Sequence, residues 1–136
     1  MNELRVVFDT NVLISSVLLP NSAAQSAFTK ALEIGRLVHS LATLDELKQV
    51  LDRKKFDKYI SRDERTRFLT MLVRESELIE VVVSISVCRD PKDNKFLELA
   101  VSADAKMIIS GDDDLLVLHP YNDVEILTPR TFLNSI

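Results

Sequence analysis

The chain has 136 residues, 46% of them hydrophobic and 28% charged, with a formal net charge of −4 at pH 7; this is typical of one soluble globular domain over residues 1–136. No apolar run could cross a bilayer, and Asp9 and Asn11 interrupt the apolar region that a signal peptide would need. The single cysteine, Cys88, excludes an internal disulfide, so we expect a cytoplasmic protein in a reducing environment.

The N-terminal part of the chain has the pattern of a strand, a turn and a helix. Residues 6–8 are a short β-rich run, and apolar residues recur at helical spacing over residues 12–17. Asp9 lies between them, where a buried strand would reach the surface. Ligands bind at the carboxyl ends of the strands in an open parallel sheet, so Asp9 is a candidate site residue. The alternative is that Asp9 only caps the helix.

The next elements predict a β-α-β unit. Ser22 can cap a helix over residues 23–34, and Gly35 lies where that helix would end. Residues 36–40 are predicted to form a second strand. The right-handed crossover between two such strands implies a parallel sheet.

Thr43 and Glu46 have the spacing of a capping box at the start of another predicted helix. A capping box would give Glu46 a structural role only. The first turn of a helix that follows a strand is also where an α/β protein points side chains into its cleft. Both interpretations of Glu46 therefore stay open.

Residues 48–67 form a basic window, with eight Lys and Arg against four Asp and Glu. A basic patch facing an acidic site would suit a polyanion. The alternative is a solvated helical face of mixed charge. Within the window, residues 54–60 are predicted to be helical, and Ser61 with Glu64 predicts a capping box that opens a further helix.

Residues 78–83 are the third predicted strand. Asp90 and Pro91 then have the cap and first-position pattern of a helix that continues to residue 103. Asp93 is not needed as a cap. It lies near the positive end of the helix dipole, where it is either a simple favourable charge or a site residue.

Three consecutive aspartates, residues 112–114, follow the fourth predicted strand over residues 106–110 and Gly111. Two unit charges about 4 Å apart repel by on the order of 4 kcal/mol at an effective dielectric near 20, so converging carboxylates invite a cation. Adjacent acids in a turn can instead point apart into water. Residues 124–127 are the fifth predicted strand, and Pro129 begins a short closing helix.

The scarcity of several residue types restricts the chemistry. Two glycines cannot form a glycine-rich phosphate-binding loop, and two histidines with one cysteine cannot supply a four-ligand zinc site. No serine occupies a nucleophile elbow. We therefore expect any chemistry to depend on carboxylates, whose usual partner is a hard cation such as Mg²⁺ or Mn²⁺.

Four segments together resemble the motifs of the PIN-domain family. They are Phe-Asp-Thr-Asn at residues 8–11, Asp-Glu-Leu at 45–47, Arg-Asp-Pro-Lys-Asp-Asn at 89–94 and Ser-Gly-Asp-Asp-Asp-Leu-Leu at 110–116. Each motif is weak alone, but four in order at plausible spacing are specific. The resemblance covers essentially the whole chain and extends to the stand-alone prokaryotic branch, the toxins of toxin–antitoxin systems.

This resemblance implies an α/β protein with a three-layer α/β/α PIN-like fold and a central parallel sheet of about five strands. It also implies a divalent-metal ribonuclease, commonly dimeric. Matching motif positions give a catalytic acidic quartet and metal ligands, with two supporting polar residues: Asp9, Glu46, Asp93 and Asp112 as the quartet, Asp114 as a further metal ligand, and Asn11 and Ser110 in support. Asp113 matches a variable position, and which of the three consecutive aspartates touch metal stays open.

We therefore predict a metal-dependent endoribonuclease that uses Mg²⁺ or Mn²⁺ to activate water against an RNA phosphodiester. Its expected partners are RNA, an antitoxin protein and a second copy of the chain. One alternative is a non-catalytic RNA- or partner-binding module on the same fold. Another is a phosphotransfer or phosphatase domain built around Asp9, which would need a well-placed lysine.

Overall fold

Five short strands form one central sheet in the computed structural model, which describes residues 4–136. The strands are β1 (Arg5–Phe8), β2 (Arg36–His39), β3 (Glu77–Leu78), β4 (Met107–Ile109) and β5 (Glu125–Leu127). Their order across the sheet is β3-β2-β1-β4-β5, and every neighbouring pair is parallel. β1 is therefore the central strand, with β2 and β4 beside it.

Helices connect these strands. Within the described residues the α-helices are α1 (Thr10–Leu18), α2 (Ala23–Ile34), α3 (Leu41–Leu51), α4 (Arg62–Glu75), α5 (Asn94–Ser102), α6 (Asp113–Leu116) and α7 (Pro129–Asn134). None of the helices over residues 4–136 combines the length and the apolar character that a membrane span requires.

Two hydrophobic cores lie on the two faces of the sheet. Side chains alternate along a strand, so β1 contributes to both cores. Val6 and Phe8 pack in one core with Phe132 of α7, whereas Val7 packs in the other with Phe96 of α5. The predicted three-layer α/β/α fold with a five-stranded parallel sheet is confirmed.

Several predicted helix starts agree with the structure. Ser22 caps α2, and Ser61 with Glu64 forms the capping box of α4. Asp90 caps a 3₁₀ turn, Pro91–Asp93, that leads directly into α5. The helix predicted over residues 54–60 is shorter, because only Lys54–Phe56 forms a 3₁₀ turn.

The capping box predicted at Thr43 and Glu46 is wrong. α3 begins at Leu41 and its cap is Ser40, whose Oγ accepts a hydrogen bond from the Thr43 backbone N–H at 3.1 Å. The Thr43 hydroxyl oxygen in turn accepts one from the Ser40 N–H at 2.9 Å. Threonine here takes the position that a glutamate or glutamine usually holds in this motif. Glu46 consequently lies further along α3 and has no capping role.

The third strand is shorter than the sequence predicts. It pairs with β2 at Glu77–Leu78, and the Ile79 N–H still donates to the His39 carbonyl oxygen at 2.8 Å, after which the chain continues to residue 87 without regular secondary structure. The backbone N–H groups of Val82 and Ile85 instead donate to Ser102 Oγ at 3.0 Å and Glu98 Oε2 at 2.9 Å. Side chains of α5 thus satisfy the amides that a sheet neighbour would otherwise bind.

Gly35 ends α2 in an extended conformation, with φ −156° and ψ −155°. A glycine is needed here for space, because a Cβ at this position would lie 2.3 Å from the Leu4 carbonyl oxygen. That oxygen accepts a hydrogen bond from the Arg36 N–H at 2.7 Å, where β2 begins beside the start of β1.

We expect Gly35→Ala to lower the free energy of unfolding by about 1–3 kcal/mol, because the backbone of Leu4 must move away from the added methyl group. Urea denaturation measures the change. Gly111→Ala is the matched control, since its Cβ would meet nothing within 4 Å. Equal stability of the two variants would contradict the steric explanation.

Candidate metal centre

Asp9 lies between the central strand and α1, and both of its carboxylate oxygens accept hydrogen bonds. Oδ1 accepts from the Val12 N–H at 2.9 Å, and Oδ2 accepts from the Ser110 hydroxyl. The residue is only 4% exposed. Burial raises the pKa of Asp9, hydrogen bonds from Ser110, Val12 and Gly111 oppose that rise, and the nearby Asp112 adds to it. Asp9 is therefore both the cap of α1 and a buried acid beside a second carboxylate.

Ser110 joins the ends of two neighbouring strands. It follows β4, is fully buried, and donates its hydroxyl to Asp9 after β1. The same oxygen accepts a hydrogen bond from the Asp112 N–H at 2.9 Å. Because β1 and β4 are parallel neighbours, their carboxyl ends meet at one edge of the sheet. Ser110 fixes both Asp9 and the turn that carries Asp112.

Three of the predicted site residues converge at this edge. Asp93, Asp112 and Asp114 each offer a carboxylate oxygen, and these oxygens all lie within 4.8 Å of one another. Asp112 caps the short helix α6 by accepting the Asp114 N–H at 2.9 Å. Asp113, between them, is exposed and outside this cluster. We refer to the three residues as the aspartate cluster.

Asp93 is the member of the aspartate cluster most affected by its surroundings. It is 9% exposed, and its Oδ2 is buried without a hydrogen-bond partner among residues 4–136. Burial raises the pKa of Asp93 to about 7, helped by the adjacent Asp112 carboxyl and by the charges of Asp90 and Asp114. A buried oxygen without a partner is costly. Carboxylate oxygens in this arrangement fit a divalent cation such as Mg²⁺ or Mn²⁺.

The raised pKa of Asp93 predicts how ion binding depends on pH, because a cation must displace the proton of this carboxyl. We expect the rise in melting temperature caused by Mg²⁺ to be small at about pH 5.5, large at about pH 8 and half developed near pH 7. Without metal, the folded chain keeps a proton that the unfolded chain has lost, so stability falls as pH rises from about 4 to about 7. Thermal melts with and without Mg²⁺ measure both effects, and an ion effect independent of pH would contradict them.

Glu46 does not join the aspartate cluster. Its Oε1 accepts a hydrogen bond from the Thr10 hydroxyl at 2.8 Å, and its Oε2 accepts one from the Lys95 ammonium. Thr10 is the residue after Asp9, and Lys95 is two residues after Asp93. Glu46 and its two partners therefore border the site. Sequence reasoning missed Lys95, although it stands immediately after the Arg-Asp-Pro-Lys-Asp-Asn motif.

An open groove runs beside the aspartate cluster. It is lined by Asn11, which is exposed, and by Arg89, which sequence reasoning also missed. Arg89 Nη2 forms an ion pair with Asp114 Oδ1 at 3.0 Å, although the arginine side chain is 85% exposed. Cys88 lies nearby, and burial followed by the surrounding acids raises its pKa to about 11, so its thiol stays protonated at neutral pH.

The basic window contributes no ion pair to this site among the described residues. Within it, the largely buried Arg65 pairs with Asp57 at 3.0 Å, and Glu64 caps α4. These contacts are local. They favour the mixed-charge helical surface over a basic patch that faces the acids.

Acidic side chains gather at the carboxyl edge of a five-stranded parallel sheet that has helices on both faces. The chain matches the family model described as PIN domain over residues 5–114. It therefore belongs to the PIN-domain family, as the sequence motifs predict, and PIN domains are generally nucleases.

One sequence relative covers almost the whole chain, and two solved structures share its fold. The chain is 31% identical over 144 residues to the uncharacterized protein MJ1680 of Methanocaldococcus jannaschii, covering 98% of this chain and 92% of that protein. Two solved structures share the fold at low identity. VapBC2 from Rickettsia felis, bound to a DNA fragment from its promoter, has a TM-score of 0.60 at 11% identity and covers 90% of this chain and 98% of that one. The RRP44 PIN domain of T. brucei has a TM-score of 0.52 at 12% identity. The match covers 98% of this chain and 81% of that chain.

Proposed function

We propose that this protein is a divalent-metal-dependent endoribonuclease that hydrolyses RNA phosphodiester bonds. The observation that carries the proposal is the buried Asp93 Oδ2, which has no partner among residues 4–136 and belongs to a cluster of three carboxylates. Burying a carboxylate oxygen without a partner costs folding free energy unless a cation binds to it. Membership of a family that consists generally of nucleases supports a phosphodiester as the substrate.

Asp93, Asp112 and Asp114 would hold Mg²⁺ or Mn²⁺, with Asp9 beside them at the end of β1. Such an ion supplies an activated water and stabilises the charge that develops on the leaving oxygen. Ser110 links Asp9 to the backbone of Asp112 through its two hydrogen bonds and so holds the two residues next to each other. Asn11 and Arg89 line the adjoining groove, so they can bind and orient the RNA backbone.

No protein nucleophile is required by this mechanism. The Cys88 thiol is protonated at neutral pH, and the Ser110 hydroxyl is buried and donates to Asp9. Both oxygens of Asp9 already accept hydrogen bonds, which disfavours the phosphotransfer alternative built on this residue.

We also propose that the protein acts in the cytoplasm as the toxin of a toxin–antitoxin pair and forms a homodimer. The structural likeness to VapBC2 supports an antitoxin partner. Exposed apolar side chains on α3 and α4 support protein–protein contact, since Leu41 is 73% and Val73 is 49% exposed.

The test is the cleavage of an end-labelled single-stranded RNA by the purified protein in millimolar Mg²⁺ or Mn²⁺. We expect internal cleavage that stops when a chelator removes the metal, and loss of cleavage in Asp112→Asn. Asp52→Asn is the matched control, because the same chemical change falls on an exposed aspartate at the end of α3, outside both the aspartate cluster and the groove. Tight RNA binding without turnover in either metal would replace this proposal with a non-catalytic RNA-binding module.

A further inference from the structure

We infer that Lys95 takes the place of a second divalent cation, so that the chain binds one ion rather than two. The inference deepens the proposed function and rests on it, because it concerns how many ions the same acidic edge holds. It is carried by the contacts of Glu46, which with Asp9 is one of the two predicted metal ligands that lie outside the aspartate cluster.

Both oxygens of the Glu46 carboxylate are already bound within the protein. The Thr10 hydroxyl donates to Oε1 at 2.8 Å, and the Lys95 ammonium donates to Oε2. Thr10 is 4% exposed, and the side chains of Lys95 and Glu46 are 20% and 27% exposed. The glutamate is thus neutralised by a partly buried positive charge. A divalent ion at this position would have to displace the ammonium or lie against it.

The carboxylates of the aspartate cluster, in contrast, have few partners within the protein. Asp93 Oδ2 has no hydrogen-bond partner in the described chain, and the aspartate cluster has one ion pair, from the exposed Arg89 to Asp114. Among the described residues the aspartate cluster therefore has only an exposed cationic partner, whereas Glu46 has a partly buried one. This difference assigns a single ion to the aspartate cluster and leaves Glu46 to Lys95.

The position of Lys95 also suits contact with the substrate. An ammonium group has three N–H donors, and the structure assigns one of them to Glu46. Lys95 stands in the first turn of α5, two residues after Asp93. Its remaining donors are available to a phosphate oxygen of RNA held at the same edge. A lysine in this role supplies the positive charge that a second ion would otherwise bring to the phosphodiester.

The test counts bound ions directly. Mn²⁺ is titrated into the full chain, and free ion is followed by electron paramagnetic resonance while calorimetry gives the stoichiometry. We expect one ion for the wild type, two for Lys95→Met and one for Lys95→Arg, which keeps the charge. Lys92→Met is the matched control, because this exposed lysine of the preceding turn does not contact Glu46, and it should bind one ion.

Glu46→Gln tests the inference independently, in case Lys95→Met does not fold. We expect this variant to bind one ion, as the wild type does, whereas Asp112→Asn binds none. Loss of the ion in Glu46→Gln, or two ions in the wild type, would overturn the inference and leave the proposed nuclease intact. A wild-type chain that binds no Mn²⁺ would instead remove the proposed function itself.

Discussion

Asp93→Asn is expected to lower the rate of RNA cleavage by about 10²–10³-fold, the usual effect of removing one group that stabilises charge in a transition state. The same substitution is expected to make the metal-free protein more stable. The asparagine amide carries no charge, so the folded state is no longer destabilised by an ionised, buried carboxylate whose pKa is raised to about 7. The two effects therefore have opposite signs in one variant.

The stability gain of Asp93→Asn depends on pH in a defined direction. Above about pH 7 the wild-type carboxyl is ionised in the folded state and its cost is fully present. Below about pH 4 it is protonated in the folded and unfolded states alike, and the difference disappears. Thermal melts in a chelator at several pH values measure this gain, and cleavage assays in Mn²⁺ measure the loss of rate. Asp52→Asn, at the end of α3 and outside the groove, should change neither, and a fully active Asp93→Asn would contradict the assigned role.

Phe132→Ala is expected to lower the free energy of unfolding by about 3–5 kcal/mol. Phe132 is fully buried in the core that contains Phe8 and Phe28, although it lies on α7, beyond the stretch that the family model matches. A loss of this size is a large part of the total stability of a domain, which is about 5–15 kcal/mol. The closing helix is thus an integral part of the folded unit.

Guanidinium denaturation measures the effect of Phe132→Ala. Phe132→Leu is the control, since it keeps most of the buried volume and should cost under about 1.5 kcal/mol. A change below about 1 kcal/mol in the alanine variant would mean that α7 unfolds separately from the rest of the chain.

Sequence patterns predicted four of the five strands well, because short apolar runs are typical of parallel strands buried on both faces, whereas β3 is much shorter than predicted. They also placed Asp9 and Asp112 after strands. That these two residues approach each other depends on β1 and β4 being neighbours, which the family resemblance supplied and local patterns did not. Asp93 reaches them through the 3₁₀ turn before α5.

Other features depend on contacts between distant residues and could not be predicted locally. Ser40 and Thr43 both have suitable side chains for a cap, and in the structure β2 ends at His39, so that Ser40 is the cap. The pairing of Glu46 with Lys95 joins residues 49 positions apart. Arg89 was quoted within a motif, but its ion pair with Asp114 requires the two loops to meet.

The outer margin of the sheet has a consequence for solubility. β3 is one of the two edge strands, with β5 at the other edge, and after β3 the chain leaves the sheet and runs along α5. Asn94, Glu98 and Ser102, spaced one helical turn apart, bind amides of that run. Long unpaired edges recruit strands from other molecules. Losing these side chains would therefore leave the N–H groups of this run unpaired, and strands of other molecules could then bind them.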